Sequence, residues 1–158
     1  MKPCIHPLAR PHRLAAVLLC AEAVGVMDTL NAATLEYAKT RQQFGVAIAR
    51  FQALQHRMVE MMIHAEQSRS ITLLAAARFD EASPEERRRY VSAAKARVGV
   101  AARSVGQEAV QIHGGMGVTD ELPAAHMFKR LTLINTTFGD VDHHLGRFAS
   151  QPGFQEAA

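Results

Sequence analysis

Three short stretches of this 158-residue sequence carry groups suited to chemistry. The first is Arg41-Gln42-Gln43-Phe44-Gly45. Arginine presents a fork of N–H donors that matches phosphate oxygens. A phenylalanine ring can cover a flat ligand ring, and glycine admits a tight turn. The same residues also fit a plainer role: a helix end with a basic residue against the dipole and a glycine stop. The second stretch is Gln111-Ile112-His113-Gly114-Gly115-Met116-Gly117, whose glycines let backbone approach a ligand closely. It follows a helical pattern rather than opening one, and its spacing is not that of a strand-to-helix glycine loop. A plain helix-to-helix turn is the competing reading. The third is Asp140-Val141-Asp142-His143-His144. Carboxylates beside histidines are metal-ligand types, but adjacent helical residues diverge by about 100°. With no H-E-x-x-H pattern either, no metal site is expected.

The elements that must position these stretches are helices. Val17, Cys20, Val24, Met27 and Leu30 recur at steps of three and four and predict a first helix over residues 13–39. A second, over 50–80, carries Phe51, Leu54, Met58, Met61, Ala65, Thr72 and Phe79 on one side. Ser83-Pro84-Glu85-Glu86 is a start signal: a serine cap, a proline in the first turn and a glutamate able to reach back. It opens a third helix over 84–113, with a stripe from Val91 through Val98 and Val105 to Ile112. Shorter helices follow over 122–135, with Asp120 as the expected cap, and over 141–148. No alternating strand pattern occurs. The expected fold is all-α, an antiparallel up-down bundle with a four-helix core. Residues 1–12 read as an irregular lead-in, 13–150 as the bundle and 151–158 as a flexible tail.

Composition excludes several classes of function. Apolar residues make up 48% and charged residues 21%, a globular balance. The net charge is +3, and Arg87-Arg88-Arg89 is the one basic run, so a nucleic-acid groove is not expected. Cys4 and Cys20 cannot make a disulfide framework, and a reducing, cytoplasmic compartment is expected. The charged start and the apolar stretch from Leu14 to Ala21 share the layout of a signal peptide, but buried helix fits better. Glu22 and Asp28 interrupt any run approaching the ~18 apolar residues of a membrane span, so no membrane is expected.

The order and spacing of the motifs resemble one family. Glu22-Ala23-Val24-Gly25 leads into Tyr37-Ala38-Lys39-Thr40 and then Arg41 to Gly45. Phe51-Gln52-Ala53-Leu54-Gln55 and Met58-Val59-Glu60-Met61 follow, then Ala109-Val110 with Gln111 to Gly117, then Glu121 and Pro123. Over residues 13–149 this resembles the C-terminal helical domain of the acyl-CoA dehydrogenase family. The resemblance implies an FAD cofactor lying between subunits. Arg41 would hold its pyrophosphate, Phe44 would pack nearby, and Gln52 would lie close to it. Gln111, Gly114 and Gly115 would reach the FAD of a neighbouring subunit.

Two departures from the family pattern shape the expected function. Family members also carry an N-terminal helical domain and a middle β-domain, to which nothing here corresponds. The family's catalytic glutamate, in a Tyr-Glu-Gly run, falls here on Thr137-Phe138-Gly139, which puts Phe138 in its place. The alternative glutamate position, on the first helix, falls near Ala15, again without a carboxylate. Asp140 is the nearest substitute base. The Phe-Gly-Asp-x-Asp-His-His run resembles small or partner subunits of bacterial acyl-CoA dehydrogenases. The expected function is therefore a flavin-contacting and oligomerisation domain of an acyl-CoA dehydrogenase-like oxidoreductase, not catalytic alone. It would work as a homo-oligomer, dimer or tetramer, or as a heteromer with a catalytic subunit that acts on an acyl-CoA. The alternative is a flavin-free assembly module or a truncated fragment.

Overall fold

The structure, a computed structural model, describes residues 9–151. Five helices follow in order: α1 (Ala9–Thr40), α2 (Gln52–Ala77), α3 (Pro84–His113), α4 (Pro123–Thr136) and α5 (Val141–Ala149). Helices α1, α2 and α3 pack against one another, α4 lies on α1 and α3, and α5 lies on α3. The result is the expected all-α bundle, with α3 touching every other helix.

Local sequence explains the helix that anchors it. At the start of α3, the Ser83 Oγ accepts from the Glu86 N–H at 3.2 Å, and the Glu86 carboxylate accepts from the Ser83 N–H at 2.9 Å. Two orphan donors are satisfied at once, and Pro84 fits where its missing N–H costs nothing. Val91, Val98, Val105 and Ile112 are all buried, facing Val17, Cys20, Met27 and Leu30 of α1 in one core. On α2 the buried positions are Met61, Ala65, Ser68, Thr72 and Ala75. Lys95 is buried as well, and its ammonium donates to the Ile134 and Asn135 carbonyls at 2.7 and 3.1 Å. Burial pushes its pKa down, and the bonds tie α3 to the carbonyl-rich end of α4.

Several boundaries differ from the sequence expectation. Helix α1 begins at Ala9, so residues 9–12 belong to its first turn rather than to an irregular lead-in. Pro11 is tolerated there because a first-turn N–H has no helical acceptor. By length and composition α1 does qualify as a membrane-spanning helix despite Glu22 and Asp28. Its apolar side forms the core, where Met27 and Leu30 are fully enclosed. Helix α2 starts at Gln52, after a 3-10 turn (Ile48–Arg50), and ends at Ala77. Asp120 does not cap α4. It pairs with Lys129 at 3.0 Å, and Leu122 precedes the helix without a side-chain cap. Gln151, expected in the tail, is buried and donates to the Arg147 carbonyl at 3.0 Å. Cys4, with the rest of 1–8, and the tail residues 152–158 lie outside the described residues.

A small sheet also appears where none was expected. Strands β1 (Gln42–Gln43) and β2 (Val46–Ala47) pair antiparallel between α1 and α2. Phe44 (φ 53°) and Gly45 (φ 78°) form the tip, both left-handed. Two left-handed residues between paired strands make a turn of the I′ kind, so Gly45 turns a hairpin rather than stopping a helix.

Candidate functional site

The end of α1 and the end of α3 meet at one place. Tyr37 and Arg41 are four residues apart and so share a helix face. The Arg41 backbone is held on both sides: its N–H donates to the Tyr37 carbonyl at 2.8 Å, and its carbonyl accepts from Ile48 at 2.9 Å. The hairpin therefore starts from a fixed point. On α3, the helix ends at His113, and Gly114 takes φ 62°, a left-handed turn that favours glycine.

A latch joins these two ends. The Tyr37 ring stacks on the His113 ring with centroids 4.4 Å apart, and the Tyr37 hydroxyl donates to the His113 carbonyl at 3.3 Å. His113 is buried, and its Nδ1 lies 2.8 Å from the Ala109 carbonyl. A carbonyl only accepts, so Nδ1 carries the proton.

Beside the latch runs a groove of about 570 Å³. Arg41, Gln111, Gly114 and Gly115 all line it, with Tyr37 and Arg57 among the other walls. Arg57 is neutralised: its Nε donates to Glu108 at 2.5 Å, which raises its pKa. Among the described residues the Arg41 guanidinium meets no acceptor. A Cβ added at Gly114 or Gly115 would meet nothing within 4 Å, so bare backbone faces open space. One uncompensated fork of donors, a side-chain amide and accessible backbone are groups that fit the pyrophosphate and polar edges of a dinucleotide cofactor.

The other expected site residues lie elsewhere. Phe44 is 91% exposed at the hairpin tip, edge-on to Phe51 at 6.1 Å, and does not line the groove. Gln52 is an exposed residue at the start of α2, also outside the lining. Phe138 sits in the turn between α4 and α5 at φ 59°, followed by Gly139 at φ 101°. Its carbonyl accepts from the buried His144 Nε2 at 3.0 Å. Asp140 caps α5, its carboxylate accepting from the His143 N–H at 2.9 Å. The Tyr37–His113 latch and the Arg57–Glu108 pair were not singled out from sequence. The one signal for Tyr37 was its place four residues before Arg41.

Residues 13–151 match the model of the acyl-CoA dehydrogenase C-terminal domain. The chain belongs to the acyl-CoA dehydrogenase family. It is similar to acyl-CoA dehydrogenase IpdE2 of Mycobacterium tuberculosis, 37% identical over 118 residues that make up 73% of this chain and 34% of that protein. Its fold matches PigA, solved with FAD and proline, at TM-score 0.83 and 28% identity, covering 91% of this chain and 37% of PigA. It matches the ChsE4–ChsE5 complex of Mycobacterium tuberculosis at TM-score 0.82 and 28% identity, covering 87% of this chain and 37% of the matched one. This family member thus spans about a third of the length of the relatives it resembles.

Proposed function

We propose that this chain is the flavin-contacting and assembly domain of an acyl-CoA dehydrogenase-like oxidoreductase. The observation that carries this reading is the convergence of Arg41, Gln111, Gly114 and Gly115 on one groove, where Arg41, unlike Arg57, has no carboxylate partner among the described residues. Arg41 would hold the FAD pyrophosphate, and the 111–115 segment would line its path. When bound, FAD supplies the acceptor for the hydride that leaves an acyl-CoA. Phe44, displayed at the hairpin tip, would pack against a cofactor that extends beyond the groove, toward a second subunit.

The chain's own residues support binding better than proton abstraction. A phenyl ring at Phe138 takes up no proton, and the Asp140 carboxylate is engaged as a helix cap. A carboxylate from a partner subunit would then act as base, and the ChsE4–ChsE5 complex is a heteromeric precedent for a similar fold. A face for such assembly exists on α2, where Val59, Met62, Ile63, Leu73 and Leu74 stay exposed.

The test is FAD titration of the chain and of Arg41→Ala, followed by flavin fluorescence. Loss of a charged hydrogen-bond pair should weaken binding by roughly 1.5–3 kcal/mol. Equal affinity in the two proteins would reject the role of Arg41.

A further inference from the structure

Among the described residues, methionine occurs in three settings. Met27 and Met61 are fully buried, and Met58 and Met127 are partly buried against the core. Met62 on α2, 56% exposed, and Met116, 40% exposed, are open to solvent. Of these methionines, Met116 alone lines the Arg41 groove. It follows Gly114 and Gly115 in a 3-10 turn (Gly114–Val118). The turn is held shut, because the Met116 carbonyl accepts from the Thr119 N–H at 3.3 Å and from the Thr119 hydroxyl at 2.9 Å. The backbone that carries this side chain is therefore fixed at the groove.

A thioether sulfur is oxidised by peroxides. Its lone pair takes one oxygen of hydrogen peroxide, so that an S–O bond forms and the O–O bond breaks. The released hydroxide takes the proton of the transferred oxygen and leaves as water. Sulfur loses two electrons and the peroxide gains them. A flexible apolar side chain becomes a polar, chiral one. Ile48, Leu54 and Met116 give the groove an apolar wall beside Arg41. Arg41, unlike Arg57, has no carboxylate partner among the described residues. A sulfoxide oxygen in the same groove offers that guanidinium an acceptor within the protein, in competition with an anionic ligand. Cys20 does not compete for the oxidant. It is buried, and burial pushes its thiol up to about 12, which suppresses the reactive thiolate.

We propose that Met116 is a peroxide-sensitive modification site, and that its sulfoxide weakens the hold of the groove on an anionic ligand. The consequence rests on the reading of the groove as the flavin site, while the oxidation itself does not. Sulfoxide reductases return the thioether, so the switch is reversible.

The experiment treats the full chain with hydrogen peroxide and locates each sulfoxide by peptide mass spectrometry. Affinities for FAD and for inorganic pyrophosphate are measured by titration calorimetry before and after treatment. Met116 and Met62 should be oxidised first, and Met27 and Met61 last. Treatment should weaken both ligands about fivefold or more, and sulfoxide reductases should restore them. Met116→Leu should abolish that loss, Met62→Leu should retain it, and Met116→Gln should reproduce it without peroxide. Oxidation of Met116 no faster than that of Met27, an oxidised chain that binds as tightly as before, or a loss that persists in Met116→Leu would each overturn the proposal. An untreated chain that binds pyrophosphate but not FAD overturns the flavin reading alone, and pyrophosphate then decides the switch. An untreated chain that binds neither overturns both.

Discussion

Arg41 and Arg57 line the same groove, yet only one of them is free to hold a ligand. Glu108 occupies Arg57, while Arg41 faces the groove with its backbone pinned between Tyr37 and Ile48. Arg41, Gln111, Gly114 and Gly115 were legible in the sequence because each sits in a short run of chemically distinctive residues. The latch that brings them together was not, since it joins Tyr37 to His113 across 76 positions. His144 offers a prediction at this scale. Burial pushes its pKa from 6.5 down to about 4, so the folded protein holds it neutral where the unfolded chain takes up a proton. Its contribution is therefore fully present above pH 6.5 and is lost as pH falls toward 4. The loss should approach about 3 kcal/mol. Denaturant unfolding across that window should show a steeper decline for the native chain than for His144→Gln. Parallel declines would assign the acid sensitivity to other groups.

Helix α3 was legible at both ends, by its capping box at Ser83 and by the glycine pair after His113. The start of α1 was not, because a proline at the helix start and one before it look alike in sequence. The hairpin was missed for a different reason. Two-residue strands carry no periodicity, and the left-handed Phe44 is a conformation that only the folded context imposes. The close approach of α3 to the α4–α5 region was also hidden, and it rests on Gly99. A Cβ there would come within 2.4 Å of the Asn135 Oδ1 and 2.6 Å of the Val141 Cγ2. Gly99→Ala gains helix propensity but forces that contact apart. A net loss of about 1–3 kcal/mol is expected from overpacking, measurable as a lower Tm. A raised Tm would show that α4 and α5 yield without cost.

At the scale of the molecule, the bundle has an enclosed core and an unfinished outside. The inner side of α1, with Val17, Cys20, Met27 and Leu30, is core. Leu14, Leu18 and Leu35 remain exposed on α1, while α2 carries the longer exposed stripe from Val59 to Leu74. The family's fold class was readable because helical periodicity and the order of motifs agree. Which stripe would serve assembly was not, since a helical stripe looks the same whether it packs inside one chain or between two. The groove, the exposed Phe44 and the α2 stripe are the features on which the proposed role, binding FAD within a larger assembly, rests.

Native mass spectrometry of the chain and of Arg41→Ala, each with and without FAD, tests that claim most directly. The expected result is a dimer or larger species that gains the mass of FAD and loses it on Arg41 substitution. A monomer would contradict the assembly role, and an oligomer that takes up no FAD would contradict the flavin role and leave the bundle as an assembly module alone.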